Sequence, residues 1–258
     1  MKFYTGTHHV SHAKSLERAM LSVNRLRGRK SDFVANEWIM DSGAFSELLL
    51  FGEYRFGVEE YAQQIKRWKK CGILQIAVAQ DYMCEPFMVE RTGLSVKQHQ
   101  ELAIERYDNL LQLTTFPIMP VLQGYAPKDY IEHLKMYGHR LKLNQWVGVG
   151  SVCKRNNNLR QIIAVLEAIT MIRPDLNLHG FGLKTTALES AYVCSLLYSA
   201  DSMAWSYAAR REHRNANSVT EAMNFGTRIN NIAGSKPTQL ELSEITAKRL
   251  PGAIPMRG

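Results

Sequence analysis

The sequence predicts an α/β fold: a (β/α)8-type, TIM-like barrel with one strand incomplete or irregular, followed by a C-terminal helical appendage. Three observations carry this prediction. Short apolar runs alternate with amphipathic stretches along the chain, and such alternation implies parallel strands joined by helical crossovers. Seven strand-like runs fall within 258 residues, a length normal for one barrel. No G-x-G-x-x-G segment marks an open dinucleotide-binding sheet.

The predicted strands, in order, are Lys2–Thr5, Glu37–Met40, Leu74–Ala79, Ile118–Leu122, Trp146–Val149, Leu178–Phe181 and Ser199–Met203. An eighth strand is not placed. Leu16, Met20, Val23 and Leu26 recur at helical spacing ahead of Gly28 and predict a helix there. Val58, Tyr61, Ile65 and Trp68 line a second helical face, which leaves Lys66, Arg67, Lys69 and Lys70 on its solvated side. Leu159, Ile162, Ile163, Leu166 and Ile169 line a third, which stops ahead of Pro174. Ser218 and Glu221 form a capping-box pattern that opens a helix running to Ile232, and a last helix is expected after Pro237. No linker, repeat or low-complexity segment interrupts the chain, so residues 1–258 read as one barrel domain, of which about 215–258 form the helical extension.

Composition narrows the class. Apolar residues make up 45% of the chain and charged residues 22%, which excludes a disordered or fibrous protein. The 32 Lys and Arg residues outnumber the 24 Asp and Glu residues, for a net charge of +8. That excess points to an anionic partner, with nucleic acid the first candidate. No apolar run reaches the length of a membrane span, and the first residues lack the apolar core of a secretion signal, so a cytoplasmic location is expected. Cys71, Cys84, Cys153 and Cys194 are far apart, which argues against a disulfide framework and a Cys-rich zinc site.

The informative polar residues stand at strand ends. In a barrel, catalytic side chains project from the C-terminal ends of the strands. Here those ends carry Asp41 in Asp-Ser-Gly-Ala-Phe-Ser, Asp81 after Gln80, Gln123 before Gly124, Gly150-Ser151, and Asp201. Each has a structural reading. Asp41 suits the turn before Gly43, Asp81 a loop cap, Gln123 a backbone contact, and Asp201 an ion pair with Arg210 or Arg211. Together they place three carboxylates and a carboxamide around one mouth. Carboxylates so grouped suit substitution at an anomeric carbon: one attacks C1′ and another manages the leaving group's proton. An Asp with a Gln amide suits a purine edge, the carboxylate accepting N–H groups and the amide donating to a carbonyl oxygen. Guanine presents that pattern.

These residues resemble the tRNA-guanine transglycosylase superfamily. Asp41-Ser-Gly-Ala-Phe-Ser46 is similar to the family's D-S-G-G-F-Q motif, with Ala and Ser in place of Gly and Gln. Gln80-Asp81 resembles its second base-reading Asp, Val121-Leu-Gln-Gly124 its V-Q-G motif, and Val147-Gly-Val-Gly150-Ser151, less closely, its Gly-Gly-Leu turn. Asp201 falls where the family keeps its nucleophile. The resemblance spans about residues 2–214 in the same order. The tRNA enzymes carry a Cys-rich zinc subdomain after the nucleophile, whereas this chain has no cysteine beyond Cys194. No zinc is therefore expected, and the short form looks more like the DpdA branch, which exchanges guanine in DNA for a 7-deazaguanine. The Asp-Ser-x-x-Trp pattern at Asp201–Trp205 and the run Ser151–Arg155 look like that branch too.

The resemblance implies a role for each residue. Asp201 would be the nucleophile that bonds C1′, and Asp41 the general acid/base. Asp81 and Gln123 would read guanine, with Gly150 offering a backbone N–H, beside Ser151 and Phe45. It implies DNA and a 7-deazaguanine base, such as 7-cyano-7-deazaguanine, as substrates, with no metal or redox cofactor. A stacked base must be flipped out, and a helper protein for DNA opening is an expected partner. Lys154, Arg155, Arg210, Arg211 and Arg214 follow two strand ends and are read as phosphate contacts, against the alternative of a solvated charged face. Tyr82, Tyr125, Trp205 and Tyr207 are candidates for base stacking or for ordinary packing. His8, His9 and His12 are better read as a loop lining the mouth than as a metal site, and His179 as a satisfied or partly buried histidine. The same chemistry on tRNA, a non-catalytic nucleic-acid-binding subunit, and a glycosylase that admits water are the competing readings.

Overall fold

A computed structural model of the chain describes residues 1–152 and 158–234. Among them, nine parallel strands form a nearly closed barrel with helices around it. The strands are β1 (Lys2–Gly6), β2 (Arg18–Ser22), β3 (Glu37–Asp41), β4 (Ile73–Val78), β5 (Ile118–Met119), β6 (Val121–Leu122), β7 (Trp146–Val149), β8 (Asn177–Gly180) and β9 (Ser199–Ser202). Their order is β5-β4-β3-β2-β1-β9-β8-β7-β6.

The two ends of that order are halves of one extended segment. The carbonyls of Pro117 and Met119 accept from Ala77 within β4 and Ala79 just past it, at 3.1 and 2.9 Å. The carbonyls of Pro120 and Leu122 accept from Gly148 and Gly150 on the other side, at 2.8 and 2.9 Å. Pro120 has no N–H to give, so one rung toward β7 is missing and the segment divides into β5 and β6. The predicted strand Ile118–Leu122 is thus present, and it brings the sheet round on itself.

The missing eighth strand is β2, within the stretch predicted as a helix. Met20 points into the barrel with Tyr4, Ile39, Ile76, Val78, Met119 and Val121. Ala19 and Leu21 point outward into the layer beneath the helices. A parallel strand buried on both faces shows no alternation of apolar and polar residues. The spacing of Leu16, Met20, Val23 and Leu26 arises because a strand is followed at once by a 3-10 turn, Val23–Arg25.

The surrounding helices are α1 (Ala44–Phe51), α2 (Val58–Trp68), α3 (Pro86–Thr92), α4 (Val96–Leu113), α5 (Pro127–Tyr137), α6 (Leu159–Ile172), α7 (Thr185–Leu188), α8 (Ala191–Ser195), α9 (Ala204–Arg211) and α10 (Val219–Gly234). On α2, Tyr61, Ile65 and Trp68 are buried as their spacing predicts, while Arg67 and Lys70 pair with Asp32 at 2.5 and 3.2 Å. The segment read as an appendage packs on the barrel wall. Ala222 and Ile229 of α10 are fully buried, and Phe225 meets Phe3 of β1 edge-on at 5.7 Å. Between β1 and β2 there is a 3-10 turn, Val10–Lys14, so α10 supplies the covering helix at that wall. The helix expected after Pro237 lies outside the described residues.

The opposite end of the barrel is closed by polar contacts. Tyr4 donates its hydroxyl to Glu37, and Arg18 reaches Glu37 at 3.7 Å. The C-terminal strand ends are where the chemistry-bearing side chains collect.

Candidate active site

The two-residue period of a strand explains how the acids arrive at the mouth. Ile39 faces the barrel interior, so Asp41, two residues on, faces the mouth. His179 and Ser199 are register partners on β8 and β9, and Asp201 follows Ser199 on the same face. Asp41 pairs in register with Ser22 of β2, whose side chain also hydrogen-bonds its carboxylate.

Asp41 is also held from its own turn. Its Oδ2 accepts the Gly43 N–H at 3.0 Å. Gly43 has φ 77°, and the Asn24 amide donates to its carbonyl at 3.4 Å. A Cβ on Gly43 would lie 2.4 Å from Asn24 Nδ2, so both conformation and space call for glycine at this position of the motif. Burial pushes the Asp41 carboxyl up to about 6, and the nearby charge of Asp201 adds to that, against the opposing Gly43 N–H, Ser22 and His179.

Asp81 and Gln123 meet directly. Gln123 Nε2 donates to Asp81 Oδ2. Gln123 Oε1 accepts from Ser151 Oγ at 2.7 Å, and Ser151 Oγ also lies 2.9 Å from Glu85 Oε2 and accepts the Cys84 N–H at 2.9 Å. The backbone of Gln123 is pinned: its N–H donates to His133 Nδ1 at 2.9 Å, and its carbonyl accepts from Gln100 Nε2 at 2.8 Å. Burial raises the Asp81 carboxyl to about 7; Gln123 opposes that, while the charges of Asp41 and Glu85 reinforce it.

The Gly150 N–H expected to meet the base is taken up in the sheet, donating to the Leu122 carbonyl at 2.9 Å, and Gly150 lies under the Gln123 amide. A Cβ there would stand 2.1 Å from Gln123 Nε2. Its carbonyl accepts from Tyr130 Oη at 2.7 Å.

Asp201 is 9% exposed and meets no arginine of α9. Its Oδ1 accepts the Gly182 N–H at 3.0 Å and lies 3.3 Å from His179 Nε2. The structural alternative of an ion pair with Arg210 or Arg211 is thus not met, and a histidine from the neighbouring strand stands beside Asp201 instead.

Six predicted residues thus form one group: Asp41, Asp81, Gln123, Gly150, Ser151 and Asp201. Phe45 stands on α1 at the rim, 39% exposed. Arg210, Arg211 and Arg214 are exposed, and Arg214 is held by Glu221 and by Glu212, the latter at 2.8 Å. Lys154 and Arg155, like Cys153, lie outside the described residues. Trp205 is buried and donates to the Gly6 carbonyl at 2.9 Å, so its role is packing. Tyr82 is buried and accepts from Arg106 at 3.1 Å, while Tyr125 and Tyr207 are exposed. His9 and His12 have ring centroids 4.9 Å apart, yet among the described residues no three His, Cys, Asp or Glu side chains are placed to hold a metal ion. Among the same residues, no helix is long and apolar enough to cross a membrane.

Two contributors were not singled out as site residues from sequence. Glu85 is 2% exposed and stands just before Pro86, a position that reads as a helix start. His179 is satisfied by hydrogen bonds and fully buried rather than partly so, and it touches Asp201.

Chemically, the group offers two carboxylates with raised proton affinity beside one that is anchored from below. It also offers an acceptor and a donor side by side at Asp81 and Gln123. Residues 1–229 match the family model described as DpdA, DeoxyPurine in DNA protein A. No curated protein matches the chain at a significant level.

Proposed function

The chain belongs to the DpdA family, and from that membership we propose that it is a DNA-guanine transglycosylase that exchanges guanine in DNA for a 7-deazaguanine base. The observation that carries the reading is the grouping of Asp41, held near pH 6 by burial and by Asp201, with Asp201 itself and the Asp81–Gln123 pair.

The reaction is a double displacement. The Asp201 carboxylate attacks C1′, and the C1′–N9 bond breaks as its electron pair leaves with guanine. Asp41 gives the departing purine a proton. In the second half, N9 of the 7-deazaguanine loses its proton to Asp41 and attacks C1′ from the opposite side. The C1′–O bond then breaks and its electrons return to Asp201. Two inversions give net retention, and one glycosidic bond replaces another, so no energy source enters. A general acid/base works best with a pKa near the operating pH, which suits Asp41.

Asp81 and Gln123 read the guanine edge. The carboxylate accepts N1–H and the 2-amino group, and the amide turns a donor to O6. Gly150 leaves room for the Gln123 amide that reads the base. Arg210 and Arg211 on the exposed end of α9 meet phosphates on the same face. The target nucleotide is extruded from the stack, with a helper protein opening the DNA. The 7-cyano form is a suitable incoming base, since the exchange needs only the guanine edge and a free N9–H.

The test is nucleoside analysis of DNA and tRNA from cells supplied with a 7-deazaguanine precursor and expressing the wild type or Asp201→Ala. Deazaguanine in DNA with the wild type alone supports the reading. Signal in tRNA alone moves the chain to the tRNA reaction. Equal signal from the variant removes Asp201 as nucleophile.

A further inference from the structure

Beneath Asp201 runs a line of buried polar groups that the base-exchange scheme does not use. His179 is fully buried among Tyr4, Trp146 and Phe181, with ring centroids 6.4, 6.3 and 4.7 Å away. Both of its ring nitrogens have partners. Nδ1 lies 2.9 Å from Ser199 Oγ, and Nε2 lies 3.3 Å from Asp201 Oδ1. Ser199 Oγ in turn accepts from Trp146 Nε1 at 2.7 Å.

The direction of these bonds follows from their chemistry. An indole N–H is a donor only, so Ser199 Oγ accepts from Trp146. The serine hydroxyl proton is then available to His179 Nδ1. With Nδ1 accepting, the ring proton sits on Nε2 and points at Asp201 Oδ1. Every donor in the line Trp146, Ser199, His179, Asp201 meets an acceptor. The opposite tautomer could still donate to the second lone pair of Ser199 Oγ, but it would set the Nε2 lone pair against the Asp201 carboxylate.

Oδ1 of Asp201 also takes the Gly182 N–H at 3.0 Å. Two donors therefore hold this oxygen, and among the described residues Oδ2 takes no hydrogen bond. We propose that His179, fixed as its Nε2–H tautomer by Ser199 and Trp146, is a positioning residue that anchors Asp201 Oδ1 and leaves Oδ2 as the oxygen that bonds C1′. The proposal rests on the transglycosylase reading of Asp201. The anchor restricts carboxylate rotation before attack, which is the pre-organisation that makes a nucleophile effective. In the second half it offers a donor to the carboxylate as its charge returns.

Two measurements test this. Nitrogen NMR of histidine-labelled wild type reads the His179 tautomer without substrate, and the Nε2–H form is expected; the Nδ1–H form would overturn the donor line. The second measurement is the rate of covalent adduct formation with DNA in a single turnover. His179→Leu, which fills the space without a donor, is expected to slow that step about 10- to 100-fold, the worth of a hydrogen bond to a charged group, with KM for DNA unchanged. His179→Gln, whose Nε2 reaches as far as the imidazole's, is expected to recover most of the loss. Ser199→Ala removes one buried oxygen and is expected to slow the step in the same direction, which covers the case of a leucine variant that does not fold. A folded leucine variant at wild-type rate, or a glutamine variant as slow as leucine, sinks the positioning role. Wild type that forms no adduct at all sinks the transglycosylase reading instead, and the tautomer then still decides the donor line.

Discussion

The Gln123 amide donates to the Asp81 carboxylate at the barrel mouth, between the ends of the neighbouring segments β6 and β4. Burial nonetheless keeps that carboxyl near pH 7, and the negative charges of Asp41 and Glu85 add to the effect. A guanine edge brings two N–H donors and favours the ionised form. Below about pH 7 the empty site holds a proton that the base must displace. Affinity for free guanine is therefore expected to fall as pH drops from 8 to 6, by up to about tenfold per unit below the pKa, with proton release on binding. Calorimetry in buffers of different ionisation heat reads both; a flat affinity with no proton release would contradict it.

The same shift makes Asp81 a cost to folding. An Asp carboxyl ionises near 3.8 in the unfolded chain but near 7 here, so the folded state binds more protons between those values. Stability is lost as pH rises through that window and stays lost above it. Asp81→Asn removes the loss while keeping an acceptor for Gln123. The variant is expected to unfold at a higher temperature than wild type at pH 8, by a few degrees, with a ceiling of about 4 kcal/mol from a shift of about three units. At pH 4 the gain should vanish. A gain of the same size at both pH values would point to a cause other than ionisation.

Much of this site is legible in the sequence because acids after apolar strands can be counted in steps of two. Asp41 follows Ile39 and lands at the mouth whatever the rest of the barrel does. Gly43 is equally local, since its turn closes on Asp41 two residues away. His179 is different: its partners Ser199 and Asp201 lie 20 and 22 residues on, and only the β8–β9 register brings them together. Glu85 meets Ser151 across 66 residues and is hidden for the same reason. β2 escaped because Ala19-Met20-Leu21 is buried on both faces, which removes the alternation that identifies a strand.

Gly150 gives a steric test of how Gln123 is aimed. A methyl group there would stand 2.1 Å from the amide nitrogen and 2.7 Å from its oxygen, so the side chain must turn away. Turning breaks the bonds to Asp81 and Ser151 together. Gly150→Ala is expected to weaken base binding about 10- to 100-fold, while the rate at saturating base falls less. Equilibrium binding of guanine to the variant decides it. Unchanged affinity would mean that Gln123 does not read the base.

The acid/base assignment of Asp41 predicts both a loss and a change of profile. Asp41→Asn keeps the acceptor for Gly43 but cannot carry a proton. Base exchange is expected to fall about 10²- to 10⁴-fold, the usual worth of a positioned proton carrier. In wild type the single-turnover rate should change with pH through an inflection near 6, where burial and Asp201 place this carboxyl. The variant should lose that inflection and keep any other. An inflection near 6 that persists in Asp41→Asn would assign it to another group.

The arginines after β9 are distinguishable by what already holds them. Arg214 is engaged by Glu212 and Glu221, so a phosphate would have to compete with two carboxylates. Arg211 is exposed at the end of α9, and Arg210 beside it reaches Ser206 Oγ at 3.5 Å. A phosphate contact releases condensed counterions, and each one lost lowers the slope of log affinity against log salt by about 0.9 on duplex DNA. Arg211→Ala is expected to weaken DNA binding and to reduce that slope by about one. Arg214→Ala is expected to change the slope by much less, because its charge is already neutralised locally. Its effect should appear in thermal stability, through the lost tie between the end of α9 and the first turn of α10. Binding of one DNA duplex measured across a salt series separates the two. Equal slope changes would mean that Glu212 and Glu221 release Arg214 when DNA arrives, and an unchanged slope for Arg211→Ala would place the phosphates elsewhere on the mouth.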